Sequence, residues 1–238
     1  MPAALITGAS QGLGRVVALE LARRGWSLVV DARTARDLDI AAAALDEAGA
    51  PVVRAISGSV ADADHRADLV AAVHALGRLD LLVNNASLLG PSPQPRLGDY
   101  PLASFEHVYA VNVTAPLALT QPLLAVLRVS GGRVLNISSD AAVEPYEGWG
   151  GYGSSKAALD QLTAILGAEE TDIRVYALDP GDMRTAMHQE AFPGEDISDR
   201  PLPDAVVLAV VRLIEDDLPS GRYRASELLA SATGAVVA

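Results

Sequence analysis

Tyr152 and Lys156 stand four residues apart in the run Gly151-Tyr152-Gly153-Ser154-Ser155-Lys156-Ala157-Ala158. On a helix, residues at that spacing share one face, so a phenol and an ammonium would project together into one site. A cation beside a phenol favours the phenolate and lowers a pKa that is about 10 when unperturbed, which suits the group to proton exchange near neutral pH. An exposed amphipathic helix would carry the same pair, and the spacing alone does not separate the two readings. A second pattern is the run Thr7-Gly8-Ala9-Ser10-Gln11-Gly12-Leu13-Gly14-Arg15. Glycines there allow a tight turn and a close backbone approach to a pyrophosphate, with the amides of a following helix facing the anion. The spacing is G-x-x-x-G-x-G, not the general G-x-G-x-x-G, and a simple tight connection would also use such residues.

These residues need a scaffold, and the chain alternates short apolar strands with longer Ala/Leu-rich helical segments. Strands are expected at 3–6, 28–30, 52–56, 79–83, 134–137 and 173–178, and helices at 13–24, 37–48, 62–76, 102–127, 153–166 and 203–214. Such alternation implies right-handed crossovers and a doubly wound α/β fold, a parallel sheet with helices on both faces. Pro116 and Pro122 predict a kink or break in the fourth helical segment. Two Pro-rich stretches, 90–101 and 188–204, read as ordered loops that would gather where open parallel sheets bind ligands, at the carboxyl ends of the strands. No repeat or interdomain linker divides residues 1–238, which predicts a single domain.

Composition narrows the partners. The formal charge of −12 argues against nucleic acid, because phosphate backbones are held by clustered Lys and Arg. The absence of Cys removes disulfides, thiolate catalysis and cysteine metal sites. The N-terminus lacks the basic and apolar regions of a secretory signal, which predicts a cytoplasmic protein. The longest uninterrupted apolar stretch, 205–211, falls far below the roughly 18 residues of a membrane span, so no membrane partner is expected. No carboxylate or His cluster has metal-ligand spacing, which predicts metal-independent chemistry.

Four separated pieces then agree: Thr7 to Gly14, Asn84-Asn85-Ala86, Asn136-Ile137-Ser138-Ser139 and Tyr152-x-x-x-Lys156, followed by Pro180-Gly181 and Thr185. In order and spacing the chain resembles the short-chain dehydrogenase/reductase family, in its short single-domain branch, over nearly its whole length. The resemblance implies a Rossmann fold and hydride transfer between a nicotinamide cofactor and a small carbonyl or secondary alcohol. It implies that Ser139, thirteen positions before Tyr152, hydrogen-bonds the substrate oxygen, and that Ser138 is structural. Tyr152 would act as general acid or base, and Lys156 would hold the nicotinamide ribose and depress the Tyr152 pKa. Asn112 matches the family's fourth catalytic position, where the Asn supports a water leading protons to the Lys.

For the cofactor, the resemblance assigns Gly8, Ser10, Gln11, Gly12, Leu13 and Gly14 to the phosphate turn and Asn85 to the wall near the nicotinamide ribose. Ser59 and Val60 would lie at the adenine, and Pro180, Gly181, Met183 and Thr185 would form the loop closing over the pyrophosphate and carboxamide. Asp31, seventeen residues after Gly14, stands near the roughly 20 at which an acidic residue reads the ribose 2′-hydroxyl of NAD. Counting from Gly25, however, the family's NAD-selecting position is Ala32, and the next, Arg33, is where many NADP-dependent members carry a basic residue. Asp31 is one place early, and strand alternation turns it to the other face. NADP is therefore favoured over NAD, with Arg33 facing the 2′-phosphate.

Ser87 and Ser59 depart from the family's usual Gly and Asp, and Pro219 to Arg224 lacks a common Gly-Gly ending. A homodimer or homotetramer is expected from the resemblance alone. Gly148-Trp149 before the Tyr and the stretch from Glu169-Glu170 to Arg174-Val175 are also somewhat similar to sepiapterin reductases and related carbonyl reductases. The alternatives are an NAD-dependent member of the family, or a dinucleotide-binding sensor without turnover. The full Ser139, Tyr152 and Lys156 set argues against a sensor, because pure binding needs no proton donor.

Overall fold

In the computed structural model, which describes residues 1–234, with side chains through 231, short apolar segments form a parallel sheet. Strands β1 (Ala3–Ile6), β2 (Ser27–Ala32), β3 (Val53–Ser57), β4 (Leu81–Asn84), β5 (Arg133–Ile137), β6 (Arg174–Asp179) and β7 (Gly221–Arg224) lie in the order β3-β2-β1-β4-β5-β6-β7. Every pairing is parallel, with Leu5 opposite Val29 on one side and Leu82 on the other. Alternate residues of β1 serve different cores. Ala4 and Ile6 pack with Leu13, Val17 and Leu21 of α1 (Gly12–Arg23), whereas Leu5 packs with Leu69 and Val73 of α3 (Ala63–Leu76) and Leu119, Leu123 and Leu127 of α5 (Ala115–Ser130). A strand buried on both faces must be apolar throughout, which is why these segments read as continuous runs.

Helices α2 (Ala35–Glu47), α4 (Leu102–Tyr109), α6 (Gly150–Glu169), α7 (Ala186–Ala191), α8 (Val207–Glu215) and α9 (Ala225–Gly234) complete the described chain. The fold class expected from the sequence is present. Three local expectations need correction. The stretch 102–127 is broken by a π-turn at Ala110–Thr114, just ahead of Pro116; α5 then runs unbroken through Pro122. Pro116 sits in the first turn of α5, where a missing N–H is tolerated. The polar edge strand β7, Gly-Arg-Tyr-Arg, was not expected, because it shows no apolar run; α7 and α9 were likewise missed.

By length and apolarity Leu102–Ser130 could cross a membrane. Its Leu119, Leu123 and Leu127, spaced four apart, are instead fully buried against β1 and β5, and Glu106, His107 and Arg128 interrupt it. Core packing accounts for its composition.

The crossover on one side of β1 leads to β2, and on the other β4 follows β3 from across the sheet, so connections diverge at the carboxyl ends of β1 and β4. A crevice at such a switch point is where open α/β sheets bind ligands.

Candidate active site

The turn after β1 is held by side chains on two neighbouring segments. Gly8 takes φ +67, its N–H donates to Asp31 Oδ1 (2.7 Å), and Asn85 Nδ2 donates to the Thr7 and Gly8 carbonyls (2.8 and 3.1 Å). A Cβ on Gly14 would lie 2.4 Å from the Gly8 carbonyl oxygen, so α1 approaches the turn as closely as it does because residue 14 has no side chain. Gln11 precedes α1 with no side chain capping it, and the first amides of the helix have no side-chain acceptor. This is a cradle of backbone donors shaped for a phosphate group, and it fits a dinucleotide.

Asp31 is buried, and its second oxygen meets His65 Nε2 on α3 at 3.0 Å. Both carboxylate oxygens therefore have protein partners, and Asp31 braces the glycine turn. Arg33, one position beyond β2, is exposed on the cleft with no partner among the described residues. Ser59 and Val60 line the same wall; the Ser59 hydroxyl accepts from Ala61 N–H (3.3 Å). On the far side, Pro180, Gly181, Met183 and Thr185 line the cleft after β6, where Asp179 Oδ1 accepts from Gly181 N–H (3.0 Å). The cleft holds about 310 Å³, in the range of small-molecule sites, and continues to Ser139, Tyr152 and Lys156.

Tyr152 and Lys156 both face inward from α6, 9% and 2% exposed. The helix can lie this close to Ser139 because Gly153 has no side chain; a Cβ there would be 2.7 Å from the Ala141 carbonyl oxygen. Buried polar contacts fix its rotation: Asn84 donates to Asn136 (2.8 Å), and Asn136 to Thr163 on α6 (2.8 Å). Asn112, in the π-turn, donates to Ser155 Oγ (2.9 Å) and to the Leu88 carbonyl (2.9 Å), and accepts from Leu88 N–H (2.8 Å) and Ser87 Oγ (3.2 Å). Its side chain thus clamps the segment after β4 to α6, and every hydrogen-bonding position on it is occupied.

Burial dominates at Tyr152 and pushes its pKa up to about 12, with the neighbouring Ser139 and Ser87 hydroxyls opposing the shift. Lys156 is pushed down to about 8, chiefly by burial, with Asp160 opposing. Its ammonium donates to the Ile137 carbonyl (2.7 Å) and lies 5.4 Å from the Tyr152 ring centroid. From the protein's own groups alone, the Tyr152 pKa is thus raised and not depressed: the ammonium sits over the ring, and desolvation of the phenolate is the largest cause. At neutral pH Tyr152 keeps its proton. Ser139 donates to Asp140 Oδ1 (2.9 Å), whose other oxygen accepts from Tyr146 OH (2.9 Å).

One brace had no signal in the sequence. Arg222, on the edge strand β7, donates to Asp160 on α6 (2.8 Å), to Asp179 at the end of β6 (3.2 Å) and to the main-chain carbonyl of Ser139 (2.9 Å). One guanidinium thereby ties together the Ser139 turn, the Lys156 helix and the start of the 180–185 loop. Its three partners lie 43 to 83 residues away along the chain, which no local pattern could reveal.

The mouth is formed where loop 90–101 meets the C-terminal end of α7: Ser92 Oγ donates to the Glu190 carbonyl (2.6 Å). Trp149 stands edge-on to Tyr152 at 5.7 Å and 6.0 Å from Phe192. Among the described residues no group of His, Asp and Glu could hold a metal ion.

A model described as short chain dehydrogenase matches residues 2–196. The short chain dehydrogenase penD of Penicillium thymicola is 40% identical over 170 residues, 68% of this chain and 61% of that protein, so the chain spans under two thirds of that relative's length. Sepiapterin reductase of Mus musculus is 37% identical over 203 residues, 79% of this chain and 76% of that protein. Among solved structures, the alcohol dehydrogenase of the archaeon Thermococcus sibiricus complexed with 5-hydroxy-NADP superimposes with a TM-score of 0.84 at 29% identity, covering 94% of this chain and 95% of that one.

Proposed function

The chain belongs to the short-chain dehydrogenase/reductase family of NAD(P)-dependent oxidoreductases, and from that premise we propose that it reduces a small or medium-sized ketone or aldehyde with NADPH, Tyr152 donating the proton. The observation that carries this reading is the buried Tyr152 in one cleft with Ser139, Lys156 and the glycine turn. A phenol held there can give its proton to a carbonyl oxygen as hydride arrives.

The cofactor supplies the hydride. Gly8, Ser10, Gln11, Gly12, Leu13 and Gly14 would hold its pyrophosphate through backbone amides, and Pro180, Gly181, Met183 and Thr185 would cover it. Asn85 shapes the wall beside the turn, and Lys156 presents an ammonium with two further donors toward the ribose. Ser139 must exchange its bond to Asp140 for the substrate oxygen, which places a second donor on the developing oxyanion. Asn112, with its side chain fully engaged, acts by fixing the register of the 87–88 segment against α6. Arg33 supports NADP, since its free guanidinium lies on the cleft while the nearby Asp31 is already bonded to Gly8 and His65. The NADP-type ligand in the archaeal structure agrees with that preference.

A sensor without turnover gains nothing from burying an ammonium and a phenol together at a desolvation cost to both. The test is a panel of carbonyls with NADPH, followed by loss of reduced-cofactor absorbance. Tyr152→Phe is expected to lower kcat on every active substrate by about 10²- to 10⁴-fold, the usual worth of a positioned acid. Unchanged turnover would refute the mechanism.

A further inference from the structure

The mouth of the cleft contains a polar atom that neither the fold nor the proposed proton transfer uses. His188, on α7, lines the cleft with its side chain 11% exposed, and its Nε2 is buried without a hydrogen-bond partner in the protein. Its ring lies 4.9 Å from Phe192, which is 6.0 Å from Trp149, which in turn stands 5.7 Å from Tyr152. An aromatic wall thus runs from the proton donor to the imidazole.

The other imidazole nitrogen faces a carboxylate, beyond hydrogen-bond distance, which bears on the role of Nε2. Nδ1 points to Asp182 Oδ1 at 3.8 Å, and Asp182 is itself faced by Arg200 at 3.5 Å. A carboxylate on that side favours the proton on Nδ1 and leaves the Nε2 lone pair free to accept. A buried acceptor without a partner costs free energy that a donating ligand would recover. Charge adds a second restriction. Among the described residues lining the cleft the only Lys and Arg are Lys156 and Arg33, whereas Asp140 and Asp182 stand beside Ser139 and His188. An anionic substrate would meet those carboxylates, and the nearby Arg200 is already paired with Asp182 and Asp199.

Resting on the reading of this cleft as a carbonyl reductase site, we propose that the substrate is a neutral aryl carbonyl compound bearing an O–H or N–H group, its ring against Trp149, which Phe192 backs, and its donor on His188 Nε2. No covalent step is involved, and the site selects by binding.

The probes are 3′- and 4′-hydroxyacetophenone, each paired with its methoxy counterpart, titrated calorimetrically into the NADP⁺-loaded protein so that affinity is read without turnover. At least one hydroxy compound is expected to bind about tenfold or more tighter than its methoxy partner. His188→Phe, which keeps the ring against Phe192, should bring that ratio near one, and His188→Gln, which restores an acceptor at similar reach, should recover part of it. A wild-type ratio near one for both pairs, no measurable binding of any of the four, or a ratio unchanged in His188→Phe would overturn the proposal. So would 3-acetylbenzoate binding as tightly as the neutral ketones. If the hydroxy preference and its loss in His188→Phe hold while NADPH reduces none of the ketones, the binding site stands and the carbonyl reductase reading fails.

Discussion

At the nucleotide end of the cleft the buried polar side chains around the glycine turn are held by other parts of the protein, with Arg33 the exposed exception, whereas at the mouth several buried ones are not. Asp31 has partners on both oxygens, and Asn85 and Thr7 bridge β1 to the segment after β4. Around the mouth, Tyr100 OH, both polar atoms of the Gln94 side chain and His188 Nε2 are buried without protein partners. On the proposed reading the first region would hold its ligand with backbone amides, which leaves its side chains free to brace the backbone. The second would hold its ligand with side chains, which cannot also be satisfied internally. A fixed cofactor permits the first arrangement, and substrate selectivity requires the second.

Two glycines allow the two regions to be disturbed separately. Gly14→Ala puts a Cβ 2.4 Å from the Gly8 carbonyl oxygen, backbone against backbone, so the phosphate turn must shift. The expected outcome is an NADPH Kd raised on the order of 100-fold, equivalent to ~3 kcal/mol at the upper end of overpacking costs. Gly153→Ala meets the Ala141 carbonyl oxygen at 2.7 Å and moves α6 away from Ser139. Its effect should appear in kcat, with the NADPH Kd changed far less. Fluorescence titration of NADPH beside steady-state kinetics checks the pair. If both variants lost cofactor affinity equally, the cleft would be one mechanical unit.

Arg33→Ala sharpens the comparison at smaller amplitude, because it removes a side-chain contact from the region built on backbone. Loss of a charge-assisted hydrogen bond to a 2′-phosphate should weaken NADPH by about 10- to 100-fold and NADH hardly at all. Equal losses with both cofactors would remove the 2′-phosphate assignment.

The two regions also differ in how much of them the sequence carries. The glycine turn, Asn85, Ser139, Tyr152 and Lys156 lie in local patterns, and the structure brings all of them to one cleft. Five strands were legible because burial on both faces forces continuous apolar runs, and the half-exposed edge strand β3 through Val52, Val53 and Ile56. β7 was not, since it is polar and half-buried at a sheet edge. Arg222 was invisible for the same reason, and so was the bond between Asp31 and His65, which joins residues 34 apart through a side-chain contact rather than a motif. His188 is a single His on a six-residue helix, and only its burial gives it meaning.

The smallest effect concerns what the buried ammonium costs the fold. Lys156 has a folded pKa near 8 against an ordinary 10.5, so between those values the unfolded chain binds more protons than the native one. Stability must therefore rise with pH across this window, with the full penalty present below pH 8. From pH 8 to 10 the gain attributable to Lys156 should be ~2 kcal/mol by linkage. Tyr152, raised to about 12, acts in the opposite sense, but only above pH 10, where the unfolded phenol begins to lose its proton. Chemical denaturation of the wild type and Lys156→Met at several pH values between 8 and 10 isolates the contribution, because the other titrating groups cancel in the difference. The wild type should gain on the variant as pH rises. A constant difference would mean that Lys156 is fully charged throughout and that its contact with the Ile137 carbonyl compensates for burial.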